Sequence, residues 1–132
     1  MNVSGAAPAE TANAIAMGKV NLSFTEAFFR GILCNALVCL AVWLSYAAHR
    51  VSGKILAIIF PVAAFVTLGF EHSIANMYFF AIAMLQGAEG VTIAAVLANL
   101  VPVTIGNIIG GSIFVALIYW AVYLRWSDKT SR

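Results

Sequence analysis

The chain has 132 residues, of which 63% are hydrophobic and 9% are charged, and its net charge is +2. An ordinary globular chain is about 45–50% apolar and about 25% charged, so this composition excludes a soluble domain and predicts that lipid surrounds most of the chain. The small positive charge gives no reason to expect a nucleic-acid partner. Because a helix needs roughly 20 residues to cross the hydrocarbon, the length allows about three spans.

The first predicted span covers residues 27–48 and follows a mixed N-terminal segment. Within that segment, residues 10–17 could form a short helix, but they are not apolar enough to cross a membrane. Ser23 or Thr25 can cap the span, with Glu26 in its first turn. A short polar turn then leads into the second apolar region.

The second apolar region, residues 55–85, is too long for one span and too short for two spans with a turn. Its centre holds Glu71, His72 and Asn76, which are costly side chains at membrane depth. Pro61 also removes a backbone donor from the first part of the region. These features predict a helix that is interrupted near its middle.

The predicted second span is therefore a broken helix with a re-entrant loop, and its three parts are residues 55–68, 69–75 and 76–85. Unwound backbone is tolerated in a bilayer only where protein buries it or where it lines a wet cavity. Discontinuous helices of this kind mark substrate sites in transporters. The second half-helix is expected to point free N–H groups at the loop, where an anion is favoured.

A weaker, mixed segment at 86–98 precedes the third predicted span, residues 99–124. Pro102 would then lie in the first turn of that span, where proline is tolerated. Gly106 and Gly110 fall near one face of the span, at the small-residue spacing that lets another helix pack closely.

Lysine and arginine residues predict the orientation. With three spans, the polar turn and the C-terminal tail lie on the same side, and this side should be cytoplasmic. Its basic residues are Arg50, Lys54, Arg125, Lys129 and Arg132. The sequence thus predicts a multi-pass protein of the inner (plasma) membrane with a cytoplasmic C-terminus. Residue 1 would lie outside without a signal peptide, so we expect that further spans precede Met1.

Three strings that combine polar and apolar residues resemble the formate/nitrite transporter family: FRGILCNALVCLAVW at 29–43, GFEHSIANM at 69–77 and PVTIGNIIGG at 102–111. The resemblance covers residues 19–124. Members of this family have six spans in an aquaporin-like fold, built from two three-helix halves of inverted topology. They form homopentamers with one pore in each protomer, and they conduct small monovalent anions such as formate or nitrite, often together with a proton.

The resemblance is to the second half of the family fold, the fourth to sixth spans. It implies an all-α integral membrane protein, an aquaporin-like half with three transmembrane spans. The implied function is a channel or transporter for a small monovalent anion and a proton, within a homopentamer in the lipid bilayer. The implied protein is not an enzyme and needs no cofactor and no metal. The adjacent Glu71, His72 and Ser73 do not face one another as catalytic partners must.

The chemistry of the polar cluster centres on His72. A bare carboxylate or nitrite cannot enter an apolar constriction without a large desolvation cost, so a pore needs either a local positive field or a proton that neutralises the anion. Histidine is the side chain whose ordinary pKa lies nearest neutrality. By resemblance, His72 lies at the centre of the pore and handles the proton.

The resemblance assigns pore positions to five further residues. Phe65 would form an apolar constriction, Lys19 would attract anions at the outer vestibule, and Glu71 would hold this lysine or tune its pKa. Asn35 and Asn76 would line the pore, although bonding to unwound backbone explains them equally well. Alternatives remain for the whole chain: a truncated, non-transporting membrane fragment, a half-size subunit that needs a partner to complete the pore, or an aquaporin-type pore for a neutral solute.

Overall fold

The computed structural model of the chain describes residues 6–125, and all of its regular structure is helical, as the sequence predicts. The five helices are α1 (Ala6–Val20), α2 (Phe24–Ala47), α3 (Val51–Thr67), α4 (Ser73–Leu85) and α5 (Ile93–Leu124). The predicted tail residues Trp126, Lys129 and Arg132 lie outside the described residues.

Helix α2 begins where a reciprocal cap satisfies its free N–H groups. The backbone N–H of Glu26 donates to Ser23 Oγ at 3.3 Å, and the backbone N–H of Ser23 donates to Glu26 Oε2 at 3.1 Å. This capping box fixes the start of the helix at Phe24. Of Ser23 and Thr25, the two residues that the sequence offers as caps, Ser23 is therefore the one that caps the helix.

Helix α1 extends over more of the N-terminal segment than residues 10–17 and packs along α4. Ala16 is fully buried and forms a small apolar core with Phe80 and Ala83 of α4 and with Val91. Small residues on α1 allow this close approach. The packing places the end of α1, and Lys19 with it, beside the interruption between α3 and α4.

Residues 68–72 between α3 and α4 are not helical. Gly69 has a φ of +65°, a conformation that glycine adopts without the steric cost of a side chain. Helix α3 has 17 residues and α4 has 13, and each is shorter than the roughly 20 residues that cross the hydrocarbon. Helix α4 begins at Ser73, three residues before the predicted start at Asn76.

Helix α5 begins at Ile93, earlier than the predicted start of the third span at residue 99. The side chain of Thr92 caps it, because Thr92 Oγ1 accepts from the backbone N–H of Ala95 at 3.2 Å. Pro102 consequently lies inside the helix and not in its first turn, which corrects the prediction. From Ser112 onward the helix contains wide π-type turns, over Ser112–Leu117 and Trp120–Leu124.

Helices α2 and α5 run parallel and pack closely through glycine. A Cβ atom on Gly106 would collide with the backbone oxygen of Phe28, and one on Gly110 would collide with the backbone oxygen of Ile32. Further along both helices, Trp43 packs edge-to-face on Tyr119 with ring centroids 5.6 Å apart. The predicted close helix packing is thus located between α2 and α5.

Most of the apolar surface of the long helices faces outward. Within residues 6–125, two helices, α2 and α5, are long and apolar enough to cross a membrane, yet only 22% and 28% of their most apolar stretches are buried. A core helix of a soluble protein would be mostly buried. Tyr46 of α2 is exposed, and so are Phe60 of α3 and Leu85 of α4, which is the pattern expected when the surroundings are lipid.

Candidate functional site

A cavity of about 310 Å³ lies where α1, α3 and α4 meet at the helix interruption. Four of the six residues that the sequence suggests for the pore line it: Lys19, Phe65, His72 and Asn76. Lys19 comes from the end of α1, Phe65 from α3, and the other two from the start of α4. The interruption therefore brings residues from three helices to one space.

His72 is the N-cap residue of α4 and also faces Phe65. Its Nδ1 accepts from the backbone N–H of Ala75 at 3.5 Å, so Nε2 is the ring nitrogen that carries the proton when the imidazole is neutral. The imidazole and the Phe65 ring are stacked, with centroids 6.3 Å apart and planes 28° apart. The histidine thus has an apolar wall on one side, and the bond to Nδ1 favours the tautomer with the proton on Nε2.

Lys19 and Glu71 form a buried ion pair. Lys19 Nζ lies 2.8 Å from Glu71 Oε1, and the two side chains are only 14% and 3% exposed. Burying either charge alone would carry a large desolvation cost, so each residue makes the other tolerable at this depth. The positive charge that Lys19 offers to the cavity is therefore balanced by a carboxylate in direct contact.

The ion pair is closed into a ring by two asparagines. Asn76 Nδ2 donates to Glu71 Oε2 at 2.6 Å and to Asn99 Oδ1 at 2.9 Å. Asn99 Nδ2 in turn donates to the backbone oxygen of Lys19 at 2.8 Å. We call Lys19, Glu71, Asn76 and Asn99 the polar ring. It ties α1, α4 and α5 together, and Asn99 is a member that the sequence argument missed.

Asn107 holds the interrupted segment against α2. Its Nδ2 donates to the backbone oxygens of Gly31 at 2.8 Å and of Glu71 at 2.9 Å. Its Oδ1 accepts from the backbone N–H of Ser73 at 2.9 Å. This side chain therefore satisfies unwound backbone and the start of α4.

Asn35 lies apart from the cavity, between α2 and α5. Its Nδ2 donates to the backbone oxygen of Asn107 at 2.6 Å, and it is not among the residues that line the cavity. Of the two roles considered for Asn35, this geometry matches a bond to helix backbone. Glu71 is also not a lining residue, and it adjoins the cavity through its bonds to Lys19 and Asn76.

The start of α4 differs from the expected row of free N–H groups. The N–H of Ser73 donates to Asn107 Oδ1, that of Ala75 to His72 Nδ1, and that of Asn76 to the backbone oxygen of His72. Three donors of the first turn therefore have partners in the protein. An anion at the start of α4 would therefore contact mainly side chains. This corrects the expectation that free N–H groups of the half-helix face the loop.

A family model described as formate/nitrite transporter matches residues 1–121 of the chain. This chain belongs to the formate/nitrite transporter family. The match extends over the three strings on which the resemblance was based. It confirms the family that those strings indicated.

Curated proteins of the formate/nitrite transporter family are similar to this chain in sequence. A probable formate transporter of Methanothermobacter thermautotrophicus is 52% identical over 117 residues, which cover 86% of this chain and 42% of the relative. The formate channel FocA of Escherichia coli K12 is 41% identical over 128 residues, covering 83% of this chain and 45% of the relative. This chain thus spans less than half the length of these relatives. They are channels and transporters, not enzymes.

Solved structures of the family share the fold. A pentameric formate channel with formate bound superposes with a TM-score of 0.78 at 37% identity, covering 93% of this chain and 55% of that one. An ion channel of the same family superposes with a TM-score of 0.80 at 38% identity, covering 84% of this chain and 45% of that one. The helical arrangement described above is therefore a family fold.

Proposed function

We propose that this chain forms the C-terminal half of a six-span pore for small monovalent anions such as formate or nitrite. The observation that carries the proposal is the cavity at the helix interruption, where Lys19, Phe65, His72 and Asn76 meet. Its walls combine an aromatic ring, a histidine and two members of the charge-balanced polar ring, Lys19 and Asn76. This is the chemistry that an anion needs if it is to leave water and be neutralised by a proton.

His72 would handle the proton in the following way. In the neutral imidazole the proton is on Nε2, and a second proton taken up at Nδ1 replaces the bond from the Ala75 N–H and gives an imidazolium. An imidazolium at this position attracts an anion. Transfer of the Nε2 proton to an oxygen of the anion leaves a neutral imidazole, now with its proton on Nδ1, and a neutral acid, which crosses the apolar region beside Phe65 at a lower desolvation cost. Histidine suits this role because it changes charge between pH 5 and 8.

The proposal extends to assembly and orientation. The relatives are more than twice as long as the matched region, which supports a second set of spans in the complete pore. One solved relative is a pentameric formate channel, and we propose a homopentamer for the complete protein. The parallel course of α2 and α5 brings Arg50 and Arg125 to one end. We propose that this end is cytoplasmic and that the membrane is the plasma membrane.

The experiment measures formate flux into liposomes that contain the full-length protein, between pH 5 and 8. The variant is His72→Phe, which keeps a ring but cannot carry a proton. The matched control is His49→Phe, because His49 is exposed in the loop between α2 and α3. We expect His72→Phe to abolish the pH-dependent flux and His49→Phe to leave it unchanged. Equal, equally pH-sensitive flux in His72→Phe would overturn the role of His72, and no flux in the unmodified protein would overturn the proposed function.

A further inference from the structure

We propose that Asn99 is a positioning residue of the pore, which holds the ammonium group of Lys19 at the wall of the cavity by means of the polar ring. The inference rests on the proposed function, in which Lys19 attracts the anion to this cavity. Asn99 does not line the cavity, so it acts only through its neighbours. It brings α5 into a site whose lining comes from α1, α3, α4 and the interruption.

The side chain of Asn99 is buried and has one orientation. It is 2% exposed, its Nδ2 donates to the backbone oxygen of Lys19 at 2.8 Å, and its Oδ1 accepts from Asn76 Nδ2 at 2.9 Å. A backbone carbonyl oxygen can accept a hydrogen bond but cannot donate one. The nitrogen of the Asn99 amide must therefore face Lys19, and its oxygen must face Asn76.

This orientation determines the direction of the other bonds in the polar ring. Because Asn99 presents an oxygen, Asn76 must present its nitrogen, and the same nitrogen donates to Glu71 Oε2 at 2.6 Å. Lys19 Nζ donates to the remaining carboxylate oxygen, Glu71 Oε1, at 2.8 Å. An ammonium group can only donate. Every bond of the ring thus has a single direction, and Lys19 supplies both its first acceptor and its last donor.

An unpaired atom of Asn76 indicates that the ring sets this orientation. Asn76 is 0% exposed, and its Oδ1 finds no hydrogen-bond donor among residues 6–125. A buried acceptor without a donor costs free energy. Exchanging the amide oxygen and nitrogen would cost more, because the oxygen would then face two acceptors, one on Glu71 and one on Asn99. The two bonds from Nδ2 therefore offset the unpaired oxygen.

The ring confines the charge of Lys19 in two ways. Asn99 holds the Lys19 backbone in the last turn of α1, and Asn76 occupies one oxygen of Glu71, which leaves the other oxygen to the ammonium group. In this position Lys19 lines the cavity. Without the Asn99 amide, nothing fixes the orientation of Asn76, and we expect the ammonium group to move between both carboxylate oxygens. The anion would then be attracted less, because Coulomb attraction falls with distance.

The first test measures formate flux against formate concentration in liposomes that contain the full-length protein. Asn99→Leu removes both bonds of the amide. We expect the formate concentration at half-maximal flux to rise roughly tenfold, with a smaller change in maximal flux. The matched control is Asn21→Leu, an exposed asparagine just after α1, which should change neither value. A merely structural residue would lower the number of folded pores, and hence the maximal flux, without changing the half-maximal concentration. That result would overturn the inference.

The second test uses Asn99→Asp, because a neutral carboxyl group has the shape of the amide. Its O–H can donate to the Lys19 backbone oxygen while its other oxygen accepts from Asn76, whereas a carboxylate has no donor. A carboxyl group buried beside another carboxylate keeps its proton to higher pH than in water. We expect the half-maximal formate concentration of Asn99→Asp to equal that of the unmodified protein near pH 5. Near pH 8 it should be roughly tenfold higher, and the change should be reversible.

Other titrating groups are accounted for by dividing each value by that of the unmodified protein at the same pH. Lys19 and Glu71 are the charged groups of the ring, and His72 lines the cavity beside them. On α2, which also packs on α5, Glu26 is exposed and Arg30 donates to the interruption at 3.4 Å. These groups are present in both proteins, so their titration cancels in the ratio. A ratio that is the same at pH 5 and pH 8 would overturn the inference.

The two variants cover the case in which one of them does not fold. Asn99→Leu introduces no charge, so its half-maximal concentration decides if Asn99→Asp is not obtained, and the pH ratio of Asn99→Asp decides in the opposite case. If neither variant yields folded protein, Asn99 is structural and the inference is overturned. Absence of formate flux in the unmodified protein would instead overturn the proposed function on which the inference rests.

Discussion

At the scale of single residues, a few amides satisfy the backbone of the helix interruption. Asn107 makes three hydrogen bonds, to Gly31, Glu71 and Ser73. These partners belong to α2, to the interruption and to the start of α4, so one side chain fixes how three segments meet. The sequence indicated the break from Glu71 and His72, but it could not identify partners that lie far away along the chain.

Replacing Asn107 by leucine should destabilise the protein by about 2–4 kcal/mol, because several buried backbone groups would lose their partners at once. The matched control is Asn21→Leu. Asn21 is exposed, and its Nδ2 donates locally to the backbone oxygen of Met17 at 2.8 Å. Thermal unfolding in detergent measures the difference. Equal unfolding temperatures for the two variants would contradict the role given to Asn107.

At the scale of elements, the sequence predicted which segments are helical better than it predicted where each helix begins. Apolar length and composition indicated α2, and the polar cluster indicated an interruption in the second region. The starts of α4 and α5 came out earlier than expected. For α4, the partners of its first turn include Asn107 from another helix. For α5, Thr92 provides a cap, so residues 93–98 of the mixed segment 86–98 belong to the helix.

The close packing of α2 on the glycines of α5 leads to a prediction at the scale of elements. Gly106→Ala should weaken the α2–α5 contact by about 1–3 kcal/mol, since its new methyl group would meet the backbone of Phe28 and neither helix can move aside freely. Gly18→Ala is the matched control, because a Cβ on Gly18 meets nothing within 4 Å. The control should be neutral or stabilising by up to about 1 kcal/mol through helix propensity. If Gly18→Ala lowered the thermal unfolding temperature more than Gly106→Ala did, this account of the α2–α5 packing would be refuted.

At the scale of the whole molecule, the parallel course of α2 and α5 determines which loops share a side. Both helices end at the end that carries Arg50 and Arg125, and the loop before α5 lies at the opposite end, which includes Glu89. The family explains why the composition is so apolar. The sequence of this chain cannot predict the second set of spans that we propose, because the side chains of another segment leave no pattern in it.

Labelling from one side of the membrane tests the proposed orientation. Ser52→Cys and Glu89→Cys are introduced where the side chains are exposed. In intact cells, a thiol reagent that cannot cross the membrane should label position 89 and should label position 52 only after the membrane is opened. The unmodified protein, with buried Cys34 and partly buried Cys39, gives the background. Labelling of position 52 in intact cells would show that the orientation is the reverse of the one proposed.

The central claim is that the cavity at the helix interruption lies on the path of the anion. Ala75→Cys introduces a thiol on the lining of this cavity, and Ile74→Cys introduces one at the neighbouring residue, which is 69% exposed and does not line the cavity. The measurement is the rate at which a small water-soluble thiol reagent inactivates formate flux in liposomes. We predict that Ala75→Cys is inactivated and that formate slows its inactivation, whereas Ile74→Cys and the unmodified protein keep their flux. Full flux after treatment of Ala75→Cys would contradict the account.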